Sequence, residues 1–492
     1  MDDKFRWWVL GTVIFGTFLG RLDQTVVNLA LPKIIGDFSI SVSAAAWIST
    51  AYILANAIFV PIWGKLGDVA GRKKIYLIGF IGFIIASGLC AVAWNLTSMI
   101  VFRVIQGFAV SADYPTAMAI LAVTFTNQKE RAEALGLWSA AFAVASVFGP
   151  LMGGPLIDNF NWRAVFFVNI PLGIIGLFLA LTFIKESVGE KRQTHFDWWG
   201  ASALGAALFA LTLVLDRGQT WGWLSAGSVI SYAAFFIFMG LFIAIEHRET
   251  EPIVDLKFFK IKAFVFSLLN TFIVFMAMMG SVFLIPIFAE TFLGYDATKT
   301  GYLFIPMAVF LMGAAALGGK LVGKVQSRYV IFWGTIVASI AFFMFGGIDP
   351  RWGALAIMVP MSVMSFGLGF GMAQRTNIVA SSVPEREVGE ASAILALVRN
   401  IAGAFGIAVF STVLDNATNA HVFAIAQNSF LRIVNPQNLQ EFIGLITLKA
   451  EVAGYAAVFI AAGIVILLGS FTALLIKLPH ETKAKGEVAM FD

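Results

Sequence analysis

Apolar residues run along this chain in long blocks separated by short polar segments. The blocks show neither the period of two of a half-buried strand nor the single apolar stripe of a soluble helix. Runs of about 20 residues, the length a helix needs to cross the hydrocarbon core, lie near 7–31, 46–64, 75–94, 99–123, 133–156, 164–184, 198–215, 225–245, 263–290, 300–319, 329–347, 353–373, 390–414 and 453–476. They predict fourteen transmembrane helices and an all-α polytopic membrane protein. The opening MDDKFRWW leads straight into the first run without a small-residue cleavage site, so it reads as the start of a span.

Composition agrees. Of 492 residues, 59% are apolar and 13% charged, against about 45–50% and about 25% in soluble domains. That excess excludes a cytosolic enzyme, a disordered chain and a secreted disulfide scaffold. A net charge of +4 is too balanced for a nucleic-acid binder. The single cysteine, Cys90, lies inside an apolar run, which excludes a disulfide framework and a CxxC motif.

The placement of charge says more than its sum. With fourteen spans, the loops on the side of the termini hold 22 Lys and Arg, and the opposite loops hold 7. The positive-inside rule then predicts that both termini are cytoplasmic; the expected location is the cytoplasmic (inner) membrane. Arg21, Arg103, Arg375 and Arg399 remain, within or at the edges of spans. An ionised group at that depth costs roughly 2.5–3.5 kcal/mol on insertion scales, so such residues mark cavities or buried pairs.

Two pairs of segments repeat at an offset of about 255 residues: GKLGDVAGRK from 64 with GKLVGKVQSR from 319, and KERAEA from 129 with REVGEA from 386. Spans 1–6 thus match spans 9–14, with spans 7 and 8 inserted. The expected organisation is a six-helix bundle over 1–190, two inserted helices over 191–250, and a six-helix bundle over 251–492. Internal repeats with a site at their interface are typical of secondary transporters.

Four segments carry a family resemblance: LDQTVVNLALPKI (22–34), GKLGDVAGRKK (64–74), RVIQG (103–107) and GPLMGG (149–154), with WRAVFFVNIPLG (162–173) beside them. Together they resemble the major facilitator superfamily, in particular its fourteen-span drug:proton antiporter branch. The resemblance implies alternating access about a central site lined by spans 1, 4, 9 and 12. It also implies that Asp68 and Arg72 latch the 64–74 loop to the neighbouring bundle, and that GPLMGG belongs to the helix suited to export against protons.

The residues have their own physical reading. Gly64, Gly67 and Gly71 permit a tight reversal between spans 2 and 3, and Asp68 can accept hydrogen bonds near a helix start. In span 5, Ala141, Ala145, Gly149 and Gly153 recur every four residues and allow close helix approach. Pro150, beside Gly149 and ahead of Gly153 and Gly154, can kink that helix.

In span 4, an unbroken helix places Gln106 about 60° and Asp113 about 80° to the same side of Arg103, forming one polar stripe. Asp113 is this sequence's own feature, usually apolar in relatives. It reads either as a cavity-facing residue that sets charge preference or as a salt-bridge partner of Arg21 or Arg375. In span 1, Arg21 shares a face with Gln24, about 200° from Asp23. Asp23 is the acidic residue of the first-span motif and the natural partner of Arg103. Glu290 sits at the outer end of span 9. Arg375 ends span 12, where it can also snorkel to the cytoplasm. Arg399 reads as structural. The candidates for proton coupling and substrate binding are therefore Asp23, Arg103, Asp113, Glu290, Arg21, Gln24, Gln106 and Arg375.

The four histidines lie outside the spans at no metal-ligand spacing, and GGKL (318–321) lacks the spacing and hydroxyl of a phosphate loop. The expected function is proton-coupled export of a lipophilic, cationic or zwitterionic compound by a functional monomer. Protons are the coupling ion, and no cofactor or catalytic residue is called for. A lipid or amphiphilic metabolite carrier on the same scaffold is the alternative, suited by Arg21 and Arg375. Residues 415–451 are expected to form an extracellular amphipathic lid, with Asn435 capping a helix before Pro436.

Overall fold

The computed structural model describes residues 3–125, 128–187, 197–249, 252–322, 324–383, 388–427 and 436–476. Its long elements are all helices. In chain order they are α1 (Asp3–Phe38), α2 (Val42–Ala70), α3 (Arg72–Ala91), α4 (Leu96–Val110), α5 (Asp113–Thr124), α6 (Gln128–Asn159), α7 (Ala164–Phe167), α8 (Asn169–Phe183), α9 (Trp198–Trp221), α10 (Ala226–Glu246), α11 (Lys262–Leu293), α12 (Ala297–Tyr302), α13 (Phe304–Lys320), α14 (Ser327–Gly346), α15 (Leu355–Phe370), α16 (Met372–Ser381), α17 (Val388–Gln427) and α18 (Pro436–Leu474).

Local chemistry sets several boundaries. Ser41 caps α2 by accepting from Ala44 N. Asn95 and Ser98 form a capping box at the start of α4. Asp296 caps α12 through Lys299 N at 2.7 Å. Each predicted span coincides with one helix or with two in succession. Twelve described segments are long and apolar enough to cross a membrane. α1 and α6 have the length, 36 and 32 residues, and fourteen crossings require both. Burial runs opposite to that of a soluble protein: Asp23, Arg103, Gln106, Asn169 and Arg375 are buried, while Ile230, Phe236 and Ile237 on α10 are about two-thirds exposed. Such a surface fits hydrocarbon.

Contacts divide the chain into two compact units. Unit 1 is 1–214, 223–255 and 286–308; unit 2 is 215–222, 256–285 and 309–492. In unit 1, α1 packs mainly on α6 and α8, and α4 on α2 and α3; in unit 2, α14 packs on α15 and α18, and α17 on α18.

Two expectations are corrected here. The 64–74 segment is not a glycine turn throughout. α2 runs through Gly64 and Gly67, and only Gly71 has positive φ, at 107°. Gly64 and Gly67 instead let α2 approach α5, since a Cβ on either would lie 3.3 Å from Pro115 Cβ or Thr116 Cγ2. Span 4 is not one continuous helix. It breaks at Ser111 and Ala112, where Pro115 can supply no N–H to the residue 111 carbonyl. Residues 415–427 and 436–451 are helical, as the partly helical segment expected there requires. α17 and α18 continue into the segment from either end, at 40 and 39 residues, or about 60 Å each against about 30 Å of hydrocarbon. Asn435 lies outside the described residues.

Candidate functional site

α1 carries three polar stations in unit 1. The middle one is the most densely bonded. Arg103 of α4 donates from Nη1 to Asp23 Oδ2 at 2.8 Å and to Gln106 Oε1 at 2.6 Å. Gln106 Nε2 donates to Asp23 Oδ1 at 3.1 Å and to Ser87 Oγ of α3 at 2.8 Å. Asn169 Nδ2, at the start of α8, donates to Asp23 Oδ1 at 2.6 Å. Arg103 Nε donates to the Ile48 carbonyl at 3.2 Å, and its guanidinium lies 3.9 Å over the Tyr52 ring. Both members of the pair are at most 1% exposed. Every Asp23 oxygen thus has a donor, which is what a buried ion pair needs to offset its desolvation.

The second station holds Asp113, at the first position of α5. The Thr17 hydroxyl donates to Asp113 Oδ2 at 2.8 Å, and Trp138 Nε1 of α6 donates to Thr17 Oγ1 at 2.8 Å. Gly16, Gly20, Tyr76, Gly79, Phe80 and Val110 line a small cavity with Asp113. Asp113 thus meets the same two helices as Gln106, α1 and α3, but at Thr17 and Tyr76 rather than Asp23 and Ser87. Arg21 donates to Gln24 Oε1 at 3.0 Å, as their shared face implies, and lies within electrostatic reach of Asp113.

The third station is near the other end of α1, where Lys33 Nζ lies 3.7 Å from Glu290 Oε2 of α11. Beside it, Asp158 at the end of α6 accepts from Ala297 N (3.1 Å), Thr298 N (2.8 Å) and Thr298 Oγ1 (2.6 Å). The glycines of span 5 set this packing. A Cβ on Gly149 would collide with Thr25 Oγ1, one on Gly153 would lie 3.1 Å from Val26, and one on Gly154 would lie 2.8 Å from the Ala297 carbonyl. The Pro150 carbonyl abuts Gly301.

At the expected latch, Arg72 Nη1 donates to the Ala119 carbonyl at 3.5 Å. Asp68 falls in the last turn of α2, not near a helix start; its side chain lies outside the described residues. Glu186 takes the start of α3 instead, accepting from Lys73 N at 3.0 Å and Lys74 N at 3.1 Å.

In unit 2, Arg375 does not snorkel. It is 1% exposed and donates to Asn270 Oδ1 (2.8 Å), the Leu368 carbonyl (3.3 Å) and Thr335 Oγ1 (3.3 Å). Arg399 donates to Thr376 Oγ1 at 3.0 Å. Sequence reasoning missed Asn169, Ser87 and Glu186 as partners. Asn169 was signalled only as a polar residue inside the 162–173 motif.

A membrane-spanning helical bundle with a buried acid–base cluster on its first and fourth spans has the build of a secondary transporter. A family model for the Major Facilitator Superfamily matches residues 13–407, and the chain belongs to that superfamily. It is 33% identical over 407 residues to the multidrug transporter protein MdtP of Bacillus subtilis (strain 168), covering 82% of this chain and 74% of that protein. It is 29% identical over 422 residues to the fatty acid resistance protein FarB of Neisseria gonorrhoeae, covering 86% and 83%. A solved bacterial homolog of the human lysosomal transporter Spinster, inward-facing and unoccupied, matches with a TM-score of 0.67 at 16% identity, covering 97% of this chain and 99% of that one.

Proposed function

We propose that this transporter exports lipophilic, cationic or zwitterionic compounds across the cytoplasmic membrane in exchange for protons, with both termini cytoplasmic. It works as a monomer and without a cofactor. The observation that carries this reading is the Asp23–Arg103 pair, buried and closed by Gln106 and Asn169. A proton on Asp23 cancels the charge that holds Arg103 and weakens the three hydrogen bonds that Asp23 accepts. Loss of that proton rebuilds them. Protonation is thereby tied to how α1, α4 and α8 are held together, which is the kind of two-state element that alternating access needs. The relative named as a multidrug transporter supports a lipophilic substrate range.

The test is flux in proteoliposomes holding the purified chain. An imposed pH gradient should drive uphill movement of lipophilic cations, and collapse of the gradient with a protonophore should stop it. Uphill flux that ignores the gradient would refute the coupling.

A second reading has one observation of its own. Arg375 is a buried cation bonded to uncharged acceptors, with no carboxylate at ion-pair distance among the described residues. Such a group suits the carboxylate or phosphate of an amphiphile, and one relative is named for fatty acid resistance. Competition of long-chain fatty acids with cations in the same assay separates the two.

A further inference from the structure

Unit 1 holds a second buried carboxylate whose surroundings are the reverse of those of Asp23. Asp23 has donors on both oxygens, one of them a guanidinium. Asp113 has one neutral donor, the Thr17 hydroxyl, on Oδ2. Its Oδ1 is buried without a hydrogen-bond partner. Tyr76 of α3 stands near enough to act on the carboxylate, yet its hydroxyl is likewise buried without a well-formed hydrogen bond. Both face a cavity otherwise lined by glycines, Phe80, Phe83 and Val110.

An anionic oxygen in such a place is walled by apolar groups, without a formed hydrogen bond, and is costly. A protonated oxygen is a donor, and Tyr76 offers an acceptor beside it. The titratable and charged groups around Asp113 are Arg21 on α1, Tyr52 on α2, Tyr76 on α3 and Tyr114 on its own helix. Arg21 spends a hydrogen bond on Gln24.

We propose that Asp113 is a second proton-binding site in unit 1, separate from the Asp23–Arg103 pair, and that it carries its proton on Oδ1 in this conformation. Thr17 and Trp138 hold Oδ2 in place, and Tyr76 is the group toward which the proton points. Two carboxylates in one bundle are thus set to opposite protonation states by their partners. As a coupling site Asp113 rests on the exporter reading; as a proton site it does not.

The experiment is infrared spectroscopy of the purified full chain in lipid nanodiscs at neutral pH, without substrate. The wild type should show a protonated carboxylic acid carbonyl band that shifts in heavy water. Asp113→Asn should lose a component of it, and Asp23→Asn should keep that component. Thr17→Val leaves the carboxyl in place but removes the bond to Oδ2, so the component should move to higher frequency. This variant also serves if Asp113→Asn fails to fold. Glu246 and Glu290 also carry a buried oxygen without a hydrogen-bond partner, so the component that Asp113→Asn removes is the one that defines the site. No component lost in Asp113→Asn, its loss in Asp23→Asn, or its indifference to Thr17→Val would overturn the proposal. Loss of gradient-driven efflux with the band intact would strike the exporter reading alone.

Discussion

Asp23 lies six residues beyond Thr17 on α1, about 9 Å along the axis, yet the two residues serve unlike acids. The Asp23–Arg103 contact was legible from the sequence, because an acid and a base inside apolar runs must find each other or water. Asn169 was not, since its partner is 146 residues away and an asparagine two residues before a proline reads equally as a helix start. Removing the charge from Asp23 leaves Arg103 buried without its counter-ion, a loss of about 3–5 kcal/mol for such pairs. Asp23→Asn should therefore abolish gradient-driven uphill transport and lower the Tm of the purified protein, and adding Arg103→Gln should restore much of that Tm without restoring transport. Uphill flux retained by Asp23→Asn would remove the residue from coupling. Asn169→Leu should cost less, about 1–3 kcal/mol, because it strips one donor and keeps the ion pair. A Tm drop as large as that of Asp23→Asn would mean that Asn169, not Arg103, is the main support of the carboxylate.

At the scale of elements, apolar run lengths located the helices well, but glycine was ambiguous. Three glycines in ten residues signal a turn or a packing seam, and the choice depends on α5, which is distant in sequence. The polar stripe on span 4 outlasts the break: Ser111 and Ala112 keep helical φ and ψ, and Arg103, Gln106 and Asp113 all bond to residues of α1, namely Asp23 and Thr17. Gly71 is the true turn glycine, and two demands meet on it. Its φ of 107° suits no L side chain, and a Cβ there would lie 2.7 Å from the Glu186 carboxylate. Gly71→Ala should cost about 1–3 kcal/mol through backbone strain plus the displaced Glu186. Glu186→Ala alone should cost about 1 kcal/mol, as the loss of a helix cap does. In the double variant the collision is gone, so the two Tm losses should sum to more than the loss measured together. Strict additivity would show that Glu186 does not press on the turn.

For the whole molecule, alternating access requires contacts that close one side of the bundle and can be undone. The sequence placed Glu290 at the outer end of span 9 but gave no sign that residues 286–308 pack with unit 1, because partners about 140 residues apart leave no local pattern. Unit 1 holds two contacts of the kind such closure needs: Lys33 of α1 beside Glu290 of α11, and Asp158 of α6 holding the first turn of α12 through three hydrogen bonds. Ala297, whose N–H is one of those donors, is fully buried, so a cysteine placed there starts protected. Asp158→Ala removes three acceptor contacts at once, a loss of about 1–3 kcal/mol after exchange with water. If these bonds hold the segment closed, the shift should raise the modification rate of Ala297→Cys by a membrane-impermeant maleimide about tenfold or more, since each 1.4 kcal/mol is a factor of ten in population. Thr298→Val, which deletes only the hydroxyl bond, should give a smaller rise, and Asp158→Asn, which keeps one acceptor oxygen, should match it or fall between the two. The three rates should thus rank by the number of bonds lost. Equal rates in all variants would mean that α12 is held by the close packing of Gly154 and Gly301 alone, and that Asp158 is no part of the closure.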